Sequence, residues 1–182
     1  MAREVYSVPY GYEPQEDEIK GTLIYYDDFD GVEDKELANA LELTEAKKFK
    51  KLVLYPLHDA TIKRMLKHST QPFYKREDRL HDWKRDQSNE RLIMVEGWEG
   101  KRKKYTPMEA ALRHLTEYYP APHFVYISPL YANLFASYSF FEEWIKRIRL
   151  IINDKPRELH PSLMKYENRW EIITGRDENK SH

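Results

Sequence analysis

Cysteine is absent from the 182-residue chain. Its absence excludes disulfide bonds, cysteine-ligated zinc, iron–sulfur clusters and thiol nucleophiles, so any catalysis depends on oxygen or imidazole groups. An excess of charge of one sign is also absent, because 30 basic and 31 acidic residues leave a formal net charge of -1. The chain as a whole therefore does not attract nucleic acid, and any such binding has to be local.

Long uninterrupted apolar runs are lacking as well. The most apolar stretch, residues 124–141, is interrupted by Pro129, Asn133 and several serines and tyrosines. These interruptions favour burial in a core over a membrane span, so we expect no membrane association. The first residues lack the basic-then-apolar order of a signal peptide, and their acidic side chains are atypical of a transit peptide. We therefore expect a cytoplasmic protein.

The length of the chain predicts a single folded domain. A chain of 22.0 kDa suffices for one well-packed core, and a second full domain would have to be unusually small. Residues 1–20 are aromatic, acidic and interrupted by proline and glycine, which predicts an extended N-terminal arm. We expect a globular domain over residues 21–175 and a flexible polar tail over residues 176–182.

Strand and helix patterns alternate along the domain. Apolar, β-branched runs predict strands at residues 22–26, 91–96, 124–127 and 170–174, with residues 52–55 a strand or the end of a helix and residues 101–105 a short antiparallel partner. Helical spacing and capping patterns predict helices over residues 33–51, 58–68, 106–118 and 139–152, with residues 75–85 a highly charged helix or an ordered loop. The expected class is α/β or α+β, with a short mixed sheet of about four to five strands packed with amphipathic helices.

An acidic turn follows the first predicted strand, with the sequence Asp28-Phe29-Asp30-Gly31. Open α/β sheets place their chemistry at the carboxyl ends of buried strands. Two carboxylates separated by one residue can divide the roles of nucleophile and general acid, or hold a hard cation. The other interpretation is an acidic turn in which Asp30 or Asp34 caps the next helix.

This turn resembles the first motif of the haloacid dehalogenase superfamily of phosphohydrolases, an apolar strand followed by Asp-x-Asp-Gly. The resemblance implies that Asp28 is the nucleophile, that Asp30 is the acid and base, and that both bind Mg²⁺. It further implies a role for Ser128 in bonding the phosphoryl group. The remaining implied residues are a charge-neutralising lysine, Lys155 or Lys165, and a metal-binding acid, Asp177. About fifty residues separate Ser128 from Asp177, which is little room for the core elements expected there.

Two further acidic motifs resemble metal-dependent enzymes. The pair His58-Asp59 resembles that of the HD-domain phosphohydrolases, but no histidine precedes it in the chain. Glu99-Gly100-Lys101, with Asp86 upstream, is similar to the acidic and lysine residues of restriction-type nucleases. Short motifs of this kind occur often by chance in a chain rich in charged residues.

A local basic run is the candidate for nucleic-acid binding. It lies beside Trp98 and Tyr105, which could stack on a base while the cations contact phosphates. The other interpretation is a solvated turn. The run consists of Lys101, Arg102, Lys103 and Lys104.

No complete catalytic set is evident, and 14 tyrosines and 4 tryptophans supply the amphipathic aromatic side chains that are frequent at binding interfaces. The sequence therefore favours a regulatory or accessory protein that acts through protein–protein contacts, without catalysis. The partner is unidentified, and homo-oligomerisation is left open. A Mg²⁺-dependent phosphohydrolase is the alternative and a nucleic-acid-binding module is the third hypothesis. No cofactor is expected, except Mg²⁺ under the alternative.

Overall fold

A computed structural model describes residues 21–173, which form one six-stranded sheet. Every neighbouring pair of strands is parallel, and the order across the sheet is β3-β2-β1-β4-β5-β6. The strands are Thr22–Asp27 (β1), Lys51–Pro56 (β2), Ile93–Val95 (β3), His123–Ile127 (β4), Arg149–Ile152 (β5) and Trp170–Ile172 (β6).

Eight α-helices connect and cover these strands within the described part of the chain. They are Asp34–Ala46 (α1), Asp59–Leu66 (α2), Phe73–Arg85 (α3), Trp98–Arg102 (α4), Met108–Tyr118 (α5), Pro129–Ser137 (α6), Phe141–Ile145 (α7) and Pro161–Lys165 (α8). None of the helices in residues 21–173 has the length and apolar character needed to cross a membrane.

The predicted α/β class is confirmed, with two differences. The sheet has six strands where four to five were expected, and its strands are all parallel where a mixed sheet was expected. A parallel sheet has to be covered on both faces, which explains why all six residues of β1 are buried. The predicted arm and tail, residues 1–20 and 176–182, lie outside the described residues.

Side chains of β1 alternate between two cores. Leu23 and Tyr25 pack in the core that contains α1 and α3, while Ile24 and Tyr26 pack in the core that contains α5 and α6. The two cores cover opposite faces of the sheet because successive side chains of a strand point to opposite faces. Both cores are rich in aromatic rings, and Tyr26 stacks on Tyr55 of β2 with ring centroids 5.6 Å apart.

Two predicted elements are wrong in type. Residues 101–105 were expected to form a strand, but α4 begins at Trp98 and its Gly100 packs directly against the ring of Phe73. The long helix expected over residues 139–152 ends at Ile145, and Arg149–Ile152 is the strand β5. The apolar run that ends in Ile151 and Ile152 fits either structure by spacing alone, and pairing with β4 and β6 decides for a strand.

The strand order reverses between β1 and β4. From β1 the chain adds β2 and β3 on one side, then crosses to β4 and adds β5 and β6 on the other side. The loops that follow β1 and β4 therefore lead away to opposite sides and leave a crevice between them. In open α/β sheets, ligands bind in such a crevice outside the carboxyl ends of the strands.

Candidate functional site

The loops after β1 and β4 meet at this crevice through one hydrogen bond. Tyr131, in the first turn of α6, donates its hydroxyl to Oδ2 of Asp28 at 2.7 Å. Ser128 is the N-cap of α6, and its Oγ accepts a hydrogen bond from the amide of Tyr131 at 3.4 Å. The predicted site residues Asp28 and Ser128 therefore lie on neighbouring loops and are connected through Tyr131.

The β1–α1 loop is shaped by two successive aspartate turns. Oδ2 of Asp27 accepts the amide of Phe29 at 2.9 Å, and Oδ1 of Asp28 accepts the amide of Asp30 at 2.8 Å. Phe29 has a left-handed backbone, with φ of 58°, and its buried ring packs on Tyr25 at a centroid distance of 4.8 Å. The short side chains that bond their own backbone explain why the chain turns here.

The guanidinium group of Arg76 fixes this loop by hydrogen bonds to its backbone and to neighbouring loops. It is 1% exposed and donates to the backbone oxygens of Asp28 and Leu57, both at 2.7 Å. It also donates to Oδ1 of Asp59 at 2.5 Å and to the backbone oxygen of Gln71 at 2.8 Å. Arg76 is therefore occupied by the protein itself and positions the loops after β1 and β2. The sequence did not reveal it, because it lies in a helix that is charged throughout.

Asp27 is a second residue that the sequence reasoning missed. It is the last residue of β1 and is buried. Burial, together with the nearby charge of Asp28, raises the pKa of Asp27 from 3.8 to about 8, against the opposing effect of the hydrogen bond from the amide of Phe29. Strand alternation was the available signal, since Leu23, Tyr25 and Asp27 share one face of β1.

The other residues predicted from the phosphohydrolase resemblance are dispersed or undescribed. Asp30 is exposed, and within residues 21–173 its side chain accepts one long hydrogen bond, 3.4 Å, from the amide of Gln71. Lys165 bonds Glu142 on an exposed surface at 3.2 Å. Asp177 lies outside the described residues, so its predicted role as a metal ligand beside Asp28 and Asp30 stays a prediction. Within residues 21–173, no group of three or more acidic or histidine side chains could hold a metal ion.

Helix α6 presents the crevice with an N-terminus free of acidic residues. Helix α1 begins with Asp34 and Glu36, and α2 begins with Asp59, so both place carboxylates at their positive ends. The first turn of α6 has none, and its Leu130 is 53% exposed. Because the N-terminus of a helix attracts anions, α6 is the part of the crevice best suited to a phosphate group.

The nuclease-like residues serve the fold instead. Glu99 is fully buried, and its carboxylate accepts hydrogen bonds from the hydroxyl of Tyr55, the amide of His58 and the hydroxyl of Thr61 at 2.7 to 2.8 Å. Burial raises its pKa from 4.5 to about 7, and these three hydrogen bonds oppose the shift. A carboxylate already bonded to three donors attaches α4 to β2 and α2 and is closed to a metal ion.

The basic run lies on α4 and the residues that follow it. Lys101, Lys103 and Lys104 are exposed, while Arg102 lies over the ring of Trp98 at 5.1 Å. Trp98 itself stacks on His114 of α5 and does not present a free face beside the lysines. Stacking of a base on Trp98 beside this run therefore stays a prediction.

Comparisons with known proteins support the fold. No protein-family model matches the chain, and no curated protein matches it in sequence. Among solved structures, it is similar to the Plasmodium falciparum nicotinic acid mononucleotide adenylyltransferase complexed with NaAD, with a TM-score of 0.67. The fold is shared. Sequence identity is 14%, and the match covers 85% of this chain and 75% of that chain.

This likeness overturns the expected function. The prediction of a non-catalytic accessory protein that acts through protein–protein contacts is wrong. The two other hypotheses, a phosphohydrolase and a nucleic-acid-binding module, are not supported. The prediction failed because the many tyrosines and tryptophans were assigned to a protein–protein interface. Several of them are in the cores instead, where Tyr25, Tyr26, Tyr55 and Tyr131 are at most 1% exposed.

Proposed function

We propose that the chain is a nucleotide-binding enzyme of the nucleotidyltransferase class, with its nucleotide lying across the carboxyl ends of β1 and β4. The observation that carries the proposal is the reversal of strand order between these two strands, in a fold shared with an adenylyltransferase. Reversal points of this kind are where doubly wound sheets bind nucleotides. A cytoplasmic location remains a prediction and agrees with this activity.

Charges around the crevice orient the ligand. The β1–α1 loop carries Asp28 and Asp30 and repels bare phosphates, whereas the start of α6 is free of acidic side chains. Phosphates therefore lie on the α6 side, next to Ser128 and Leu130. The aspartates suit ribose hydroxyls, or the Mg²⁺ ion that accompanies the phosphates of a nucleoside triphosphate as part of the substrate.

The proposed reaction is transfer of an adenylyl group to a mononucleotide. A phosphate oxygen of the acceptor forms a bond to the α-phosphorus of ATP, the bond from that phosphorus to the bridging oxygen breaks, and pyrophosphate leaves with the electron pair. Reactions of this type depend mainly on positioning and on electrostatic stabilisation, so they do not require a protein nucleophile. This agrees with a site in which Asp28 is occupied by hydrogen bonds.

Leu130 provides a test of phosphate binding at α6. Leu130→Glu places a carboxylate at the helix N-terminus, and Leu130→Gln is the neutral control of equal size. We expect the Glu variant to bind ATP about tenfold more weakly than the Gln variant, since two like charges within a few ångströms repel each other strongly near a protein surface. Its melting temperature should equal or exceed that of the control, because a carboxylate suits that end of a helix. Equal affinity of the two variants for ATP would place the phosphates elsewhere.

Turnover is tested separately from binding. The wild-type chain is incubated with ATP, Mg²⁺ and nicotinic acid mononucleotide, or other mononucleotides, and pyrophosphate release is measured. The proposal predicts release that requires both substrates and is reduced in Leu130→Glu relative to Leu130→Gln. If the chain binds ATP but releases no pyrophosphate with any acceptor, the transferase activity is refuted and only nucleotide binding is supported.

A further inference from the structure

A second cavity opens at the carboxyl end of β3, between α4 and α5. It encloses about 300 Å³ and is lined mainly by Glu96, Trp98, Lys101, His114, Tyr118 and Tyr119. Two strand spacings separate β3 from β1, roughly 10 Å, so the cavity lies on the same edge of the sheet as the crevice but outside it. Its volume is at the lower end for ligand pockets and suits a single heterocycle.

Three aromatic rings form one side of the cavity in a continuous stack. The ring centroids of Trp98 and His114 are 4.1 Å apart with an interplanar angle of 6°, and those of His114 and Tyr118 are 5.9 Å apart at 14°. The side chain of Tyr118 is largely exposed and Tyr119 meets it edge-on at 4.9 Å. A planar ligand ring that lies beside His114, in the plane of its imidazole, can therefore pack on the parallel ring of Tyr118.

Glu96 and His114 supply a polar pair inside this aromatic cavity. Oε1 of Glu96 accepts the hydroxyl of Tyr119 at 2.5 Å, and the side chain of Glu96 is 13% exposed. Its Oε2 lies 3.8 Å from Nε2 of His114, which is too long for a hydrogen bond. Nε2 is buried and has no hydrogen-bond partner among the described residues. Oε2 of Glu96 and Nε2 of His114 thus lie side by side, and each is available for a hydrogen bond to a ligand.

We propose that this cavity binds a planar nitrogen heterocycle that carries an amino group, of the adenine or cytosine type. The amino group donates to Oε2 of Glu96, the adjacent ring nitrogen accepts from Nε2–H of His114, and the ring lies against Tyr118. Adenine and cytosine present this donor and acceptor side by side on one edge. A ring that carries a carboxylate is repelled by Glu96. Lys101, an exposed residue of the cavity lining, can meet an anionic substituent.

The inference is tested with two nucleosides that differ only in the amino group, adenosine and purine riboside. Without phosphates, they avoid the phosphate site at α6, and the Glu96→Gln variant distinguishes binding in this cavity from binding of the nucleoside in the crevice. For the wild-type chain we expect adenosine to bind at least about tenfold more tightly, because a hydrogen bond to a carboxylate is lost in the other ligand. Binding is measured by calorimetry, with the melting temperature of each variant as a check on folding.

Three variants test whether the residues of this cavity cause the preference for adenosine. Glu96→Gln keeps an oxygen for the hydroxyl of Tyr119 but presents N–H groups to the ligand, and should abolish the preference for adenosine. Tyr118→Ala, at an exposed position, should weaken the binding of both nucleosides by a similar factor of about tenfold, because stacking on the ring is lost. Glu143→Gln makes the same chemical change as Glu96→Gln on the exposed surface of α7 and should alter neither affinity.

Three results would overturn the inference. They are equal affinity of the wild-type chain for the two nucleosides, an unchanged adenosine preference in Glu96→Gln, and failure of adenosine to bind the wild-type chain at all. Each is distinguishable from failure of the proposed function, which is measured with ATP and the Leu130 variants at the crevice between β1 and β4.

Discussion

At the scale of single residues, two buried carboxyl groups link the stability of the chain to pH. The pKa of Asp27 is raised to about 8 and that of Glu99 to about 7, in both cases chiefly by burial. Each group binds its proton more tightly in the folded chain than in the unfolded chain. Between pH about 4 and about 8 the folded chain therefore holds the extra protons, and the free energy of unfolding falls as the pH rises.

Asp27→Asn should remove much of this decline. The amide oxygen of asparagine can still accept the hydrogen bond from Phe29, while the titrating proton is eliminated. Urea unfolding of wild type and variant at pH 5, 6.5 and 8 measures the effect. We expect the variant to gain stability relative to wild type as the pH rises through this range. Glu99→Gln should remove the part of the pH-dependent decline in stability that is due to Glu99. Parallel pH profiles of wild type and both variants would show that the two carboxyl groups are not the cause.

Arg76 is the residue whose charge and shape are most difficult to replace. Four acceptors surround its buried guanidinium group, and lysine has neither the planar fork nor enough donors to satisfy them. We expect Arg76→Lys to lower the free energy of unfolding by about 3 kcal/mol. Arg79→Lys is the control on the same helix, since Arg79 is 40% exposed and pairs with the exposed Asp34. That change should cost less than about 0.5 kcal/mol, and equal losses in the two variants would contradict the role of Arg76.

At the scale of elements, local patterns predicted structure where spacing, length and breakers agreed. The strands β1 and β4 and the helix α5 were found because apolar runs of strand length, or helical spacing after a proline, were bounded by turn residues. Elements were missed where a pattern fitted two structures. The spacing of Trp144, Ile148 and Ile152 is helical, yet the chain leaves the helix after Ile145 because β5 gains more by pairing with two strands.

Gly100 tests how α4 is docked. A Cβ atom at this position would lie 2.3 Å from Cε2 of Phe73, a ring that is 9% exposed and has little room to move. We expect Gly100→Ala to destabilise the chain by about 1 to 3 kcal/mol through overpacking, as measured by urea unfolding. In Gly97→Ala the added atom meets only the end of the flexible Glu77 side chain, so this control should be nearly neutral. Similar stabilities of the two variants would show that the contact with Phe73 does not govern the effect, because helix propensity by itself favours alanine over glycine.

At the scale of the whole molecule, the candidate site arises from the strand order. Asp28 and Tyr131 are 103 residues apart in the chain and share a hydrogen bond only because β4 lies next to β1. The sequence showed that Asp28 and Ser128 follow apolar strands, which is the part of the site with a local pattern. It did not show which strands are neighbours, so Tyr131 and Arg76 could not be assigned to the site from residue patterns alone. For Asp27 the signal was local, namely its position at the end of one face of β1.

The central claim is that a nucleotide binds where the strand order reverses. The most direct test is a titration of the ¹⁵N-labelled chain with NaAD, followed by amide chemical shifts in two-dimensional NMR spectra. The claim predicts that the largest shifts cluster at Gly31 in the loop after β1, at Leu130 in the first turn of α6, and at Asn153 in the loop after β5. Saturating shifts confined to other loops, or an unchanged spectrum with NaAD and with ATP and Mg²⁺, would contradict it.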